Sequence, residues 1–532
     1  MTRTRFGRRQ FVLRSTFAAA GAAFAPRALG QMMGGGGGGG MGGGGGGGII
    51  DPPVGSPLQE PPVAVNHSTT PGVVDVSIDA SVAPAIVGGT AASLLTYNGS
   101  FIAPTIRANP RDVIYLRFRN SLPPTTQTNL LGHVKNVTNV HVHGFHVSPG
   151  ADMMTGLPAD NVHLQIAAGG GEQVYCYDLM QQRPGSMGLY HPHVHGTVAE
   201  QFWGGLVGAL DVGDGPITAL AAYPRKLLVL KDLTIANGAP EPYTMTSEYM
   251  HGKEGAVVMV NAQVNPYLEV RPGEVHRLRI VNASNARFYR LAIQGHALNL
   301  VGTDGGLLDV PYALSEILLA PSERIDVLVK ASTTTGDYKV LALPYARQGS
   351  MTSAQVTLMT LRVTGTRTRA ALPKTVNPDA ARLADDPMLP RARFELSMMM
   401  GRGYINGMTF ESMTNAYEHM SDVGTDEIWE IVNQSGMDHP WHQHVNDAQV
   451  LSVSGGDANF AKYAQLYTRI PAWKDTVIVP KWGSVTFRLP IRDFMGMTMY
   501  HCHILEHEDI GMMGMWHRMP MSAGGCGMPM PM

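Results

Sequence analysis

The sequence predicts an all-β protein built from three β-sandwich domains, and three observations support this. The chain has 532 residues, enough for about three domains of 100–200 residues each. Runs that alternate apolar and polar residues dominate, broken by Gly and Pro turns, and the body of the chain has no long run with helical periodicity. In addition, one pattern recurs three times, at a domain-sized spacing of about 150–160 residues.

The recurring pattern is a turn, an acidic residue, an alternating strand and an asparagine. The three copies occupy residues 110–120, 272–282 and 425–433, and they end at Asn120, Asn282 and Asn433. A second marker precedes each copy, namely Asn98-Gly99, Asn261-Ala262 and Asn406-Gly407. The repeat predicts related domains at 60–214, 215–370 and 371–520.

Residues 1–30 are typical of an export signal. Five arginines precede the apolar stretch 17–25, which is too short to cross a bilayer. Arg8-Arg9, followed by Phe11 and Val12, matches the twin-arginine pattern. We therefore expect a periplasmic or secreted protein without a transmembrane segment.

Glycine-rich and methionine-rich segments flank the expected domains. Residues 31–59 contain two blocks of seven glycines, and such runs lose much conformational entropy if they become ordered. They predict a flexible tether, and residues 521–532 form a Met-rich tail. With 40 basic and 42 acidic residues the formal net charge is −2, which argues against a nucleic-acid-binding protein. We expect a monomer.

Histidine pairs distinguish the outer repeats from the middle one. In a strand, residues i and i+2 lie on the same face, so each His-x-His pair projects two imidazoles in one direction. A single pair would more often belong to a hydrogen-bonded core, but four pairs matched across two repeats favour a metal. The four pairs are His141 and His143, His191 and His193, His442 and His444, and His501 and His503.

Cys502 indicates which metal. With His439, His507 and Met512 it offers one thiolate, two imidazoles and one thioether, the ligand set of a blue-copper electron-transfer site. Zinc is disfavoured because structural zinc sites seldom recruit Met and because zinc has no redox role. The two histidines that flank Cys502 point to the opposite face of the strand, where they can join a second cluster.

With these residues the chain closely resembles the multicopper oxidase family over about residues 60–520. All four signature segments are present: His-Val-His-Gly, His-Pro-His, His-Pro-Trp-His-Gln-His and the Cys-centred segment from His501 to Met512. The resemblance implies three cupredoxin-like Greek-key domains, four copper ions, and dioxygen as the electron acceptor. It implies a type 1 copper at His439, Cys502, His507 and Met512, a type 2 copper at His141 and His442, and a type 3 pair at His143, His191, His193, His444, His501 and His503.

Two carboxylates match the family's proton-supplying acids. Asp152 follows the first His pair at the family spacing, and Glu508 follows His507 as in bacterial members. Reducing dioxygen to two waters consumes four protons, so acids near the cluster are required. The alternative is that Asp152 belongs to a turn and Glu508 to a solvated surface.

The electron donor is left open by the sequence. A laccase-like oxidase of phenols is our first hypothesis, and a cuprous or other metal oxidase is the alternative. Methionine clusters at 398–413, 495–499 and 528–532 suit Cu(I), although methionine also fills irregular cores. A copper-sequestering or electron-transfer protein without oxidase activity would lack some of the ligands, and none is missing. Cys176 is interpreted as a free core thiol, with a bridge to Cys526 as the alternative.

Overall fold

The computed structural model describes residues 48–520. Strands make up 46% and helices 5% of the protein, so the predicted all-β fold of three sandwich domains is confirmed. The predicted signal at 1–30, residues 31–47 of the predicted tether and the tail at 521–532 lie outside the described residues. Within the described range, none of the helices has the length and apolar character needed to cross a bilayer.

The first domain consists of two four-stranded sheets, in the strand orders β3-β2-β5-β7 and β4-β9-β8-β6. Its core lies between them and includes Leu116, Tyr175 and Leu210. The elements of this part of the chain are β1 (Ile49–Ile50), β2 (Val73–Val87), β3 (Thr90–Tyr97), β4 (Ile106–Ala108), β5 (Val113–Asn120), β6 (His141–His143), β7 (Gly171–Asp178), β8 (Met187–His191), α1 (Val198–Gly204) and β9 (Gly208–Val212).

The second domain consists of two six-stranded sheets. One has the order β13-β10-β15-β20-β17-β18, and the other has the order β1-β22-β21-β16-β19 with β14 also paired to β22. The elements are β10 (Arg225–Leu233), β11 (Ile235–Ala236), β12 (Ala239–Pro240), α2 (Thr246–His251), β13 (Val257–Val260), β14 (Tyr267–Val270), β15 (Val275–Asn282), β16 (Tyr289–Ile293), β17 (Leu298–Thr303), β18 (Gly306–Leu314), β19 (Ile317–Leu319), β20 (Arg324–Lys330), β21 (Gly336–Leu343) and β22 (Gln355–Val363).

The third domain consists of two five-stranded sheets, ordered β24-β23-β26-β30-β28 and β25-β32-β31-β27-β29. Aromatic rings of Phe394, Trp429 and Trp441 pack together in its core. The elements are β23 (Arg391–Met399), β24 (Arg402–Ile405), β25 (Tyr417–Asp422), β26 (Thr425–Asn433), β27 (His439–Gln443), β28 (Gln449–Ser454), α3 (Ala461–Tyr467), β29 (Thr476–Val479), β30 (Ser484–Ile491), β31 (Gly496–Cys502), α4 (Leu505–Asp509) and β32 (Met513–Met519).

The recurring sequence pattern forms the same central strand in each domain. β5, β15 and β26 pair in parallel with the first long strand of their domain and antiparallel with a later strand. Each ends at a buried asparagine whose side-chain amide donates to two backbone carbonyls farther along the chain. The asparagine therefore fixes the strand end from which the next segment departs.

The second marker forms a tight turn in all three domains. Asn98, Asn261 and Asn406 have φ of 54°, 52° and 49°, and the residue after each also has positive φ, as a type I′ hairpin turn requires. Each asparagine side chain also bonds the backbone of the preceding long strand. The two markers thus specify equivalent parts of each sandwich.

The prediction of a flexible tether is wrong for residues 49–59. Ile49 and Ile50 pair in parallel with the start of β22, and Asp51 bonds Lys339 and Thr357. Further along, backbone hydrogen bonds join 55 to 265 and 58 to 267. These contacts offset the entropy of ordering, so this segment lies along the second domain.

Candidate metal centre

A buried triangle of ligand atoms lies in the third domain. His439 begins β27, Cys502 ends β31, and His507 lies in the short helix α4. The Nδ1 atoms of the two histidines are 3.2 Å apart, and each is 3.4 Å from the Cys502 Sγ. All three side chains are fully buried. Donor atoms at these separations can share one first-row metal ion, whose bonds to nitrogen and sulfur are about 2.0–2.3 Å long.

Met512 is held beside this triangle by the backbone. Its N–H donates to the His507 carbonyl at 2.8 Å, and its carbonyl accepts from the Cys502 N–H at 3.0 Å. The side chain is fully buried, in the same core cluster as Cys502. The predicted mononuclear ligands are therefore brought together by β27, β31 and the loop around α4.

Eight further histidines form one buried cluster between the first and third domains. Strands β6 and β8 bring His141 opposite His191, and strands β27 and β31 bring His442 opposite His501. Donor nitrogens lie within 4.8 Å of one another in three groups. The groups are His143, His191 and His503; His193, His444 and His501; and His141, His143 and His442.

The hydrogen bonds of these histidines leave nitrogens free inside the cluster. One nitrogen is anchored to the protein, as where His141 Nδ1 bonds Asp160 at 2.9 Å and His442 Nδ1 bonds the Asp475 carbonyl at 2.9 Å. The Nε2 atoms of His141, His191 and His442 are buried without a hydrogen-bond partner. Unpartnered buried nitrogens are costly, and metal ions satisfy them, so these residues fit a multinuclear metal site.

Burial also prepares these side chains to bind metal. It lowers the pKa of His191 to about 4 and that of His439 to about 3, and neutral imidazole is the form that ligates metals. Burial raises the pKa of the Cys502 thiol well above its ordinary value. A bound cation would supply the charge that a buried thiolate lacks.

Comparison with known proteins agrees with this geometry. Models of multicopper oxidases match residues 80–216, 224–366 and 378–522. The chain belongs to the multicopper oxidase family. A laccase of Bacillus subtilis is 28% identical over 465 residues, covering 78% of this chain and 88% of the relative. A multicopper oxidase of Staphylococcus aureus is 27% identical, covering 80% and 84%.

Solved structures show the same similarity. A multicopper oxidase of Campylobacter jejuni, described as a metallo-oxidase, superposes with a TM-score of 0.74 at 27% identity. The superposition covers 89% of this chain and 98% of that one. A multicopper oxidase of Aquifex aeolicus gives a TM-score of 0.71 at 26% identity and covers 87% and 99%. The family implies a copper-dependent oxidoreductase that uses dioxygen.

In this multicopper oxidase the two metal sites share one strand end. The register pairs Trp441 with Cys502 and His442 with His501, so consecutive residues face opposite sides of the sheet. Cys502 therefore faces the mononuclear triangle while His501 and His503 enter the histidine cluster. The sequence predicted this arrangement.

Of the two predicted acids, the structure brings only Glu508 to the cluster. Its carboxylate oxygens lie 3.3 Å from His501 Nδ1 and 3.7 Å from His193 Nδ1, and the side chain is fully buried. Neither oxygen has a hydrogen-bond partner in the protein. Burial raises the pKa of Glu508 well above its ordinary range, which favours the protonated form of the acid.

The assignment of Asp152 to the cluster is wrong. Its carboxylate accepts from the Thr155 hydroxyl and from the N–H groups of Met154 and Thr155, which stabilises the turn after residue 151. It hydrogen-bonds none of the eight cluster histidines. The acid of this loop that reaches the cluster is Asp160, which bonds His141. The loop between β6 and β7 folds so that the second aspartate, not the first, returns to β6.

Sequence reasoning also missed Asp475 and Arg324. Asp475 Oδ1 lies 3.1 Å from His143 Nε2, and Arg324 of the second domain reaches the same nitrogen at 3.1 Å. A search for residue spacings in the sequence finds neither residue, because the two lie in segments that are 151 residues apart in the chain. The Lys474-Asp475-Thr476 tripeptide, a run of polar residues entering a buried strand, was the available signal.

Several other histidines and Cys176 lie outside the metal sites. His146 bonds the Val445 carbonyl and Asp493, each at 2.8 Å. Cys176 is a buried free thiol in β7, whereas Cys526 lies outside the described residues. His133, His163 and His195 line a separate cavity.

Proposed function

We propose that this protein is a laccase-like oxidase that couples four one-electron oxidations of a phenolic donor to the reduction of dioxygen to two waters. One observation carries the proposal. The sequence Met-Tyr-His-Cys-His joins the mononuclear triangle to the histidine cluster through directly bonded residues, with Cys502 on one side and His501 and His503 on the other.

Four copper ions account for the donor groups. One fits His439, Cys502, His507 and Met512, a type 2 ion fits His141 and His442, and a type 3 pair fits the two triads of the remaining six histidines. When bound, the copper ions accept single electrons from the donor and deliver them to dioxygen. A copper-storage protein has no use for the covalent connection between the two sites.

The chain's own residues supply positioning and protons. Asp160 and the Asp475 carbonyl hold His141 and His442 by their Nδ1 atoms, which turns the Nε2 atoms into the cluster. Glu508 has a pKa that burial raises well above its ordinary range, and its carboxylate lies 3.3 Å from His501 Nδ1. It is placed to deliver a proton as dioxygen is reduced.

A phenolic donor is supported by relatives. Laccases of Bacillus subtilis and Bacillus stratosphericus are 28% and 29% identical to this chain. Electrons would enter through the triangle, whose His507 Nε2 contacts the Met250 carbonyl at 3.3 Å at the end of α2. His251, at the end of the same helix, is exposed, so a donor resting there is separated from His507 by a single layer of protein.

A second electron donor, Cu(I), is favoured by the methionines exposed on the protein surface. Thirteen methionines among the described residues are exposed, including Met245, Met351, Met399 and Met400. Core packing does not explain thioethers in solvent, and thioethers select Cu(I). Met437 also lies next to the triangle, where the Arg347 guanidinium contacts its sulfur.

We further propose export by the twin-arginine pathway to the periplasm or the medium, supported by Arg8-Arg9 and the apolar stretch that follows. An oxygen-reducing copper enzyme suits an oxidising compartment. Appending residues 1–30 to a reporter enzyme tests this: export should fail when Arg8 and Arg9 are both changed to Lys. Export that survives the change contradicts the proposal.

The donor is tested by oxygen uptake. Turnover of a dimethoxyphenol and of Cu(I) should be compared under identical conditions, then repeated after deletion of residues 522–532. Faster phenol turnover supports the first donor, and faster Cu(I) turnover the second. An unchanged Cu(I) rate after deletion counts against a role for the tail. Copper bound without any oxygen uptake would overturn the oxidase itself.

A further inference from the structure

A cavity of about 450 Å³ opens between the first and third domains, beside the histidine cluster. One of its walls is His193, whose Nε2 lies 3.3 Å from His501 Nε2 inside the cluster. The other walls are unusually rich in metal-binding side chains that no copper site uses. These are His133, His163, His195, Met413, Met499 and Met513.

Two of these histidines are arranged like predicted ligand pairs of this protein. The rings of His133 and His195 are 5.4 Å apart between centroids and 79° between planes. The rings of His193 and His501 are 5.1 Å and 81° apart, and those of His439 and His507 are 5.0 Å and 62° apart. At such separations one nitrogen from each ring can reach the same ion.

Two histidines of this cavity have unused donor atoms. His195 Nδ1 is buried without a hydrogen-bond partner, and so is Nε2 of His163. The His133 ring rests on Gly196, where an added Cβ would lie 2.1 Å from the imidazole. Gly196 also has φ of +83°, so two separate requirements keep this position free of a side chain and leave room for the His133 ring.

The other groups around the cavity suit a soft cation. Met413 is exposed and Met499 is buried, so thioethers stand both at the mouth and inside. Arg402, which also lies near His195, pairs with Glu411 at 3.4 Å. Glu411 therefore offsets the positive charge of Arg402. The imidazole and thioether donors of the cavity are neutral.

We propose that this cavity binds one additional Cu(I) ion, held by the imidazoles of His133 and His195 with a methionine thioether as a further ligand. Imidazole and thioether together match the preference of Cu(I). Because His193 lines the same cavity, the ion would be held next to the cluster, on the side open to solvent. The site stands on its own donor atoms and does not depend on the donor proposed above.

Silver provides the test, because Ag(I) shares the ligand preference of Cu(I) and has no accessible redox step here. The copper-loaded full chain should be titrated with Ag(I), and bound silver counted by mass spectrometry after desalting. Wild type should retain one more silver ion than His133→Gln. Met413→Leu, which removes a sulfur and preserves volume, should weaken the binding of that silver ion about tenfold.

The matched controls are His67→Gln and Met388→Leu, changes at exposed residues far from the cavity in sequence. Both should retain the additional ion. Copper content and blue absorption, measured first, verify that each variant is folded. In silver-soaked crystals the anomalous peak should lie between the two imidazoles. Equal silver in wild type and His133→Gln, or silver only in the Met-rich tail, would overturn the proposal.

Discussion

Arg324 of β20 and Asp475, which precedes β29, form a two-point ion pair in the interior. The guanidinium nitrogens Nη1 and Nη2 donate to the two carboxylate oxygens at 2.6 and 2.5 Å. Neither side chain is more than 4% exposed. Both also reach His143 Nε2 at 3.1 Å. The second domain holds no predicted ligand, yet it supplies the cation that orients an acid of the histidine cluster.

Replacing Arg324 should disrupt the histidine cluster, although Arg324 is not itself a predicted copper ligand. Arg324→Ala leaves the buried Asp475 carboxylate unpaired, which typically costs about 3–5 kcal/mol of unfolding free energy. We expect copper to be lost from the histidine cluster while the blue absorption of the mononuclear site remains. Denaturant unfolding and the copper-to-protein ratio measure the two effects.

Arg393 supplies the control for that change. It pairs with Glu430 on the surface, where both side chains are more than a third exposed. Exposed pairs contribute about 0–1 kcal/mol, so Arg393→Ala should alter neither stability nor copper content appreciably. If Arg324→Ala behaved like Arg393→Ala, the structural role of the buried pair would be refuted.

Cys502→Ser tests the mononuclear site. A serine hydroxyl cannot replace the thiolate as a soft ligand, so the blue absorption and the oxidase activity should disappear together. The histidine cluster should keep its copper, which the copper-to-protein ratio measures. Cys176→Ser, a change at the other buried thiol, should retain both colour and activity. Colour or activity surviving in Cys502→Ser would disprove the assignment.

The sequence was sufficient to predict which histidines and which cysteine the structure brings together, because the pattern that links them is local. His-x-His spacing and the residues around Cys502 fix which imidazoles share a strand face, and the register of β27 and β31 follows from the same alternation. The repeat markers at Asn120 and Asn98 predicted the fold for a similar reason, since each asparagine acts through hydrogen bonds to its own domain.

Contacts between distant segments could not be read from the sequence. Asp152 and Asp160 lie in the same loop after His141, and only the path of that loop decides which carboxylate returns to the histidine. Arg324 and Asp475 are 151 residues apart. The segment 49–59 was misjudged because its partners belong to another domain, whose strand edge the local composition does not reveal.

Glu508 and Asp152 provide a direct comparison of the two predicted acids. Glu508→Gln preserves shape but removes the proton held beside His501, and losing a positioned acid typically costs 10²–10⁴-fold in rate. We expect kcat to fall by about 10²-fold, while anaerobic reduction of the mononuclear site by the donor is unchanged. Stopped-flow absorbance separates these two steps.

Asp152→Asn should leave both steps unchanged, because Asp152 stabilises a turn and contacts no cluster histidine. Asp160→Asn, by contrast, weakens the anchor of His141 and should lower copper occupancy. A loss of dioxygen reduction in Asp152→Asn equal to that in Glu508→Gln would restore the sequence-based assignment.

The metal-free protein should lose stability in mild acid. Burial lowers the pKa of His439 from 6.5 to about 3, so between these values the unfolded state binds a proton that the folded state does not. Stability contributed by this histidine is therefore present above pH 6.5 and falls as the pH drops, by about 1.4 kcal/mol per pH unit.

His439→Gln removes this contribution, so the slope of unfolding free energy between pH 6 and pH 4 should decrease by that amount. Urea unfolding of the copper-free chain measures it, with His67→Gln as the exposed control whose slope should match wild type. Equal slopes for His439→Gln and wild type would mean that this imidazole is not held neutral in the folded state, and that the triangle is not preorganised for metal.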